Sequence, residues 1–198
     1  MKKKVTIIDY NAGNIRSIVN MLNYLGGECE IVKTGSELKN AQRVIFPGQG
    51  HFARAMENLQ ERDFANAIKE KIAQDAPFLG ICVGMQILFD SSEEAPGAEG
   101  LSILKGCVKK FTKGKTPQIG WNKVQTTKNN TYLSDDYFYF VNSYYVEPSD
   151  KNIVSATTTY YSKFCSAVQK DNITAVQFHP EKSSAAGCEF FDNWLNKT

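Results

Sequence analysis

A chain of 198 residues, 42% of them hydrophobic, is long enough for one α/β core or for a core carrying a large insertion. Its net charge of +2 and lack of any span-length apolar run exclude a strong field for nucleic acid and a membrane-spanning segment. Five dispersed cysteines (Cys29, Cys82, Cys107, Cys165 and Cys188), two histidines and no C-x-x-C predict free thiols in a reducing cytoplasm rather than disulfides or zinc.

Met1-Lys2-Lys3-Lys4 runs straight into a strand pattern, so these residues do not read as a signal peptide. Val5 to Asp9 is a buried first strand, followed by the polar turn Tyr10-Asn11-Ala12-Gly13-Asn14. Ile15, Ile18, Val19, Leu22 and Leu25 recur at helical spacing, and Gly26-Gly27 stops the helix. Cys29 to Val32 and Arg43 to Phe46 are the next strands. Phe52, Met56 and Leu59, then Phe64, Ile68 and Ile72, mark one broken helix or two. Phe78 to Ile81 is the fourth strand, and Ile87-Leu88-Phe89 extends a helix that starts behind it. Strands alternating with helices predict a parallel sheet with helices on both faces, whose active site lies at the carboxyl ends of the strands. The turns at residues 9–14, 47–52 and 80–86 then share one edge.

After Ser91 the helical period gives way to β-rich sequence. Ser92 to Gly100 is a loop, and Lys128-Asn129-Asn130-Thr131 is a hairpin turn. Tyr137 to Val146, dense in aromatic and β-branched residues, reads as a central strand. Ile153 to Thr158 and Phe164 to Val168 form a hairpin, Ile173 to Phe178 is a further strand, and Ser183 to Asn196 is a closing helix. Without repeats or a low-complexity linker, residues 1–198 read as a single domain.

The chemistry centres on Gly80-Ile81-Cys82-Val83-Gly84-Met85-Gln86. A cysteine between glycines at a strand-to-helix switch is the pattern of a nucleophile elbow. The turn is tight, so the residues two before and two after must be small. A helix N-terminus beneath the sulfur favours the thiolate, and the Val83 N–H is a candidate oxyanion donor. His179-Pro180-Glu181 closes a strand, and Pro180 biases His179 toward an extended backbone. Residues two apart then project to one side, so Glu181 reaches one ring nitrogen and leaves the other for a thiol. His51 has no adjacent acid and reads as a loop-positioning residue. Pro47-Gly48-Gln49-Gly50 is a candidate for the second oxyanion donor. The lysines between Lys105 and Lys128 read as a solvated face.

These two motifs together resemble those of the class I, triad-type glutamine amidotransferases, and within them the glutaminase subunits of imidazole glycerol phosphate synthases. Supporting stretches are Asp9 to Asn14, Pro47 to Phe52, Ser91 to Glu94, Pro117 to Asn122 and Phe140 to Tyr144. The resemblance implies an α/β fold: a mixed, mostly parallel sheet flanked by helices, with a flavodoxin-like core. It implies hydrolysis of L-glutamine to L-glutamate and ammonia, with no cofactor. Cys82 would be the nucleophile, His179 the base and Glu181 its orienter; Gly48, Gln49, Gly50, Val83, Gln86, Ser143 and Tyr144 would serve the oxyanion and the substrate. It further implies a heterodimer with a (β/α)₈-barrel cyclase, faced by Asn11, Asn14, Trp121, Asn122, Tyr139 and Asn142, that uses the ammonia in histidine biosynthesis. The family usually carries His at Asn142 and Met at Ile119, both on the side expected to meet the barrel. A related glutaminase feeding another barrel synthase, and a non-catalytic subunit on the same fold, are the alternatives.

Overall fold

The computed structural model describes residues 3–11 and 14–198; Ala12 and Gly13 of the predicted first turn lie outside the described residues. The chain opens with β1 (Lys4–Ile8), α1 (Ile15–Tyr24), β2 (Glu28–Val32) and β3 (Val44–Phe46). Ile18 and Leu22 bury one face of α1, and Gly26 ends it with a φ of 78°, a left-handed conformation glycine adopts without steric cost. The broken helix is two helices, α2 (Phe52–Glu61) and α3 (Phe64–Ala73), separated where Asp63 adopts a φ of 59°. His51 caps α2, its Nδ1 accepting the Ala53 N–H at 3.2 Å.

β4 (Phe78–Ile81) and the short α4 (Val83–Gln86) follow. The expected helical continuation through Phe89 does not occur. Ile87 and Leu88 instead use their carbonyls to accept from Leu101, Ile103 and Leu104, so the loop at 100–104 takes over where helical bonding would have continued. The remainder is β5 (Ser91–Ser92), β6 (Gly106–Lys110), β7 (Gln118–Thr126), β8 (Asp136–Asn142), β9 (Tyr144–Pro148), β10 (Val154–Tyr160), β11 (Ser162–Lys170), β12 (Ile173–Val176) and α5 (Ser184–Lys197).

The sheet is mixed, in the order β2-β1-β3-β4-β12-β11-β10-β7-β8, with β5, β6 and β9 attached off this path. Pairing is parallel from β2 to β12 and antiparallel from there to β8. The residues of β3, β4 and β12 are all buried, as expected where helices cover both faces of parallel strands. Across the outer sheet, α5 sinks Phe190, Phe191 and Trp194, with Phe178 packing between Phe138, Phe140 and Phe190. Removing a ring as large as Trp194 costs on the order of 3–5 kcal/mol.

The stretch from Tyr137 to Val146 is two strands rather than one central strand. β8 ends the main order, Ser143 interrupts the pairing, and β9 turns away to pair with β6 and β11. Its aromatic density has a local cause. Phe138 and Phe140 point into the core, while Tyr137, Tyr139 and Val141 alternate onto the other face.

Candidate active site

β4 and β12 are neighbours, with Ala175 beside Gly80 and Val176 beside Ile81. The Cys82 N–H donates to the Val176 carbonyl at 2.7 Å. The nucleophile candidate therefore leaves one strand, and the base candidate leaves the next, at the same carboxyl edge. Cys82 adopts φ 54°, ψ −108°, a conformation that costs a non-glycine residue on the order of 1–3 kcal/mol. The flanking glycines make that turn sterically possible. A Cβ on Gly80 would lie 2.5 Å from the Gly84 carbonyl oxygen, and one on Gly84 would lie 2.3 Å from the Phe46 carbonyl oxygen.

His179 and Glu181 are held by the chain around them. The His179 Nδ1 and a Glu181 carboxylate oxygen are 2.8 Å apart, with both side chains almost wholly buried. Burial pushes the imidazole pKa down, but the Cys82 sulfur and the Glu181 carboxylate outweigh it and raise it to about 10. The imidazolium is thus the favoured form beside the sulfur. The His179 backbone N–H donates to the Tyr139 carbonyl at 2.8 Å, and the Ser183 hydroxyl donates to the His179 carbonyl at 2.6 Å. The Tyr139 N–H returns a bond to that hydroxyl at 3.0 Å, so β8 clasps the base from its backbone.

A cavity of about 490 Å³ opens over the sulfur. It brings together Gln49, Gly50, Cys82, Val83, Gln86, Ser143, Tyr144 and His179 of the predicted residues. Gly48 lies beneath it, because a Cβ there would sit 2.6 Å from the Val83 nitrogen and 2.4 Å from that of Gly84. The Gln49 N–H donates to the Tyr10 hydroxyl at 3.3 Å and is thereby engaged by a residue outside the cavity wall. Glu94, Pro117, Val141 and Lys182 also line it and were not foreseen as site residues. His51 does not line it.

Two of the residues expected to face a partner, Asn142 and Asn122, turn their side chains away from the exposed face of β7 and β8. Asn142 is buried, shares the inward face with Phe138 and Phe140, and lines the cavity, where its side chain donates to the Tyr144 carbonyl at 2.9 Å. Asn122 also alternates away from the outer face and donates to the Thr159 carbonyl at 2.9 Å. The outer face instead carries Ile119, Trp121, Tyr137, Tyr139 and Val141, with Trp121 and Tyr139 edge to face at 6.1 Å. Strand alternation over 137–142 was the available signal. Asn11 is exposed and borders a smaller cavity with Gln49 and His51, and Asn14 is half-buried ahead of α1.

A cysteine held in a strained elbow, an imidazole aimed by a buried carboxylate and a cavity over the sulfur form a unit for acyl transfer through a thioester. The family model of the class I glutamine amidotransferases matches residues 6–197, and the chain belongs to that family. Within it, the chain is 45% identical over 197 residues to the imidazole glycerol phosphate synthase subunit HisH of Chlorobaculum tepidum, covering 96% of this chain and 98% of that one. It is 44% identical over 200 residues to the chloroplastic imidazole glycerol phosphate synthase hisHF of Arabidopsis thaliana, covering 97% of this chain but only 34% of that protein. The fold is also that of a chain in the structure of PurLQS from Thermotoga maritima, with a TM-score of 0.81 at 18% identity, covering 100% of this chain and 99% of that one.

Proposed function

We propose that this chain is the glutaminase subunit of an imidazole glycerol phosphate synthase, hydrolysing L-glutamine and passing ammonia to a (β/α)₈-barrel cyclase in histidine biosynthesis. The observation that carries the reading is the placement of Cys82 and His179 just beyond the carboxyl ends of adjacent parallel strands, with Glu181 at 2.8 Å behind the imidazole. The Cys82 thiolate attacks the carboxamide carbon of glutamine and a tetrahedral oxyanion forms. His179 gives its proton to the departing nitrogen, ammonia leaves, and a thioester remains. Water, deprotonated by His179, then attacks the thioester; glutamate leaves and the sulfur takes back its negative charge. Glu181 keeps Nδ1 occupied, so the proton traffic runs through the other ring nitrogen.

The Val83 N–H supplies one oxyanion donor in this reading, and the loop at 48–50 the other. The loop's Gln49 N–H is engaged by Tyr10, so a partner that reorients this peptide would complete the hole. One missing donor costs on the order of 3 kcal/mol, about a hundredfold or more in rate. The outer face of β7 and β8, with Ile119 64% and Trp121 52% exposed, is the surface for the barrel. Among the described residues no helix is long and apolar enough to cross a membrane, and we place the pair in the cytoplasm.

The test is steady-state glutaminase kinetics of the chain alone, then with a barrel cyclase and its nucleotide ligand. The expected result is a slow basal rate and stimulation of a hundredfold or so. A full rate without partner would remove the coupling, and stimulation only by a different barrel synthase would replace the histidine acceptor.

A further inference from the structure

Gln177 follows β12 and stands two residues before His179. It is fully buried, and its backbone N–H donates to the Ser166 carbonyl at 2.9 Å. Its side-chain amide fills the space between Gln86 and the nucleophile. The Gln86 Nε2 donates to the Gln177 Oε1 at 3.1 Å and to the Tyr144 carbonyl at 3.4 Å. The Gln177 Nε2 lies 3.6 Å from the Cys82 Sγ and donates to it.

The direction of this chain is set at one end. A backbone carbonyl only accepts, so Gln86 must turn its NH₂ toward Tyr144. The same NH₂ meets Gln177, which must then present its oxygen. A primary amide that presents oxygen on one side presents N–H on the other, and that side faces the sulfur. Asn142 donates to the same Tyr144 carbonyl at 2.9 Å, reinforcing it as an acceptor site. The polarity therefore runs from the β8–β9 break through two glutamines to Cys82.

We infer that Gln177 is a positioning residue for the nucleophile: its amide holds the Cys82 sulfur toward His179 and stabilises the thiolate over the thiol. An N–H aimed at an anion is worth more than one aimed at a neutral acceptor, and a buried sulfur has little water to replace it. Because only the thiolate attacks, the fraction of enzyme ready to react at neutral pH depends on this donor. The inference rests on the glutaminase reading of the same site and adds a residue to it.

Two substitutions separate its parts. Gln177→Glu keeps an oxygen for Gln86 and replaces the N–H at the sulfur with a second acceptor. Gln177→Met removes both polar atoms at similar volume. The measurements are the pH dependence of Cys82 alkylation by iodoacetamide, followed by peptide mapping, and glutaminase kinetics of the full chain with its cyclase. Both substitutions are expected to move the alkylation midpoint up by about one pH unit or more, and to lower kcat roughly tenfold at neutral pH. KM should stay within about twofold in Gln177→Glu, which keeps the oxygen that holds Gln86. An unchanged midpoint in both variants overturns the proposal, as does a KM rise without a midpoint shift, which would make Gln177 a support for Gln86 alone. Circular dichroism and melting curves check the fold, and Gln177→Glu, with the same shape as the native residue, decides if Gln177→Met does not fold. An unmutated chain that neither alkylates at Cys82 nor hydrolyses glutamine would instead remove the glutaminase reading.

Discussion

The two halves of the sheet do different work with different chemistry. From β2 to β12 the strands are parallel, and the central ones are buried on both faces. There the backbone sets geometry: Cys82 and His179 are placed by strand adjacency and a strained turn. From β11 to β8 the strands are antiparallel, and β7 and β8 leave one face open with Ile119, Trp121 and Tyr137 exposed. There the side chains offer a surface. The halves touch chemically at the Tyr139 backbone, which holds His179, and at the Tyr144 carbonyl, which orients Gln86. A change in the parallel half should therefore strike the reaction itself, and one in the outer half its coupling to a partner.

The largest expected effect is Cys82→Ala, which should lower glutamine hydrolysis by about four orders of magnitude or more while the melting temperature stays close to that of the native chain. A glutamine-like diazo-ketone should label Cys82 in the native chain. It should spare Cys165, whose thiol burial pushes up to about 12. Label on Cys165 or Cys107 instead would break the division between the halves. His179→Ala should cost roughly 10²- to 10⁴-fold, and His51→Ala far less. Equal losses would mean that the cap of α2 participates in the chemistry.

Next in size is Gly84→Ala. Its Cβ meets the Phe46 carbonyl oxygen at 2.3 Å, so the elbow must shift against β3. A loss of about 1–3 kcal/mol in denaturant unfolding, with activity falling in parallel, is expected. A fully active, equally stable variant would show that the turn has slack.

Trp121→Ala tests the outer half. On an exposed face it should change unfolding free energy by no more than about 0.5–1 kcal/mol, yet weaken binding of the cyclase by about 2 kcal/mol or more, read by titration calorimetry. Loss of basal glutaminase activity in the isolated variant would blur the two halves. The smallest effect is expected from Tyr10→Phe. It removes a hydroxyl bonded to the Gln49 peptide, worth about 1 kcal/mol, so the basal rate should rise up to about fivefold while the stimulated rate stays the same.

The parallel half was readable because its signals are local. Helical spacing, short apolar strands and glycine punctuation each lie within a few residues, and the Cys82 and His179 motifs sit at strand ends. The outer half was less readable because pairing partners are distant. Nothing near Ser143 in the sequence announces that β9 leaves for β6. The length of α4 was overread for a similar reason, since the groups that capture Leu88 belong to residues 103 and 104. Asn142 is expected on the partner-facing side, and only its alternation with Phe138 and Phe140 shows that its side chain lies on the buried face of β8. Gln177 stood two residues from the base in an extended segment, a spacing that shares a side, but a lone glutamine carries no chemical signature by itself.

The seam strand β12 also bears on how the molecule is made. Cys82 is synthesised before the halfway point, but its neighbour β12 arrives about ninety residues later and inserts between β4 and β11. Until it does, β4 is an open edge, and the loop to be closed is long. Contacts of such separation form late, so the sulfur is expected to wait without its imidazole while β1 to β4 are already paired. Pulse-labelled hydrogen exchange during refolding should show β1 and β3 amides protected before those of β12. Until β12 is seated, Cys82 has neither the Val176 carbonyl that receives its N–H nor His179 beside it, so the catalytic pair is expected to be assembled only at the end of folding.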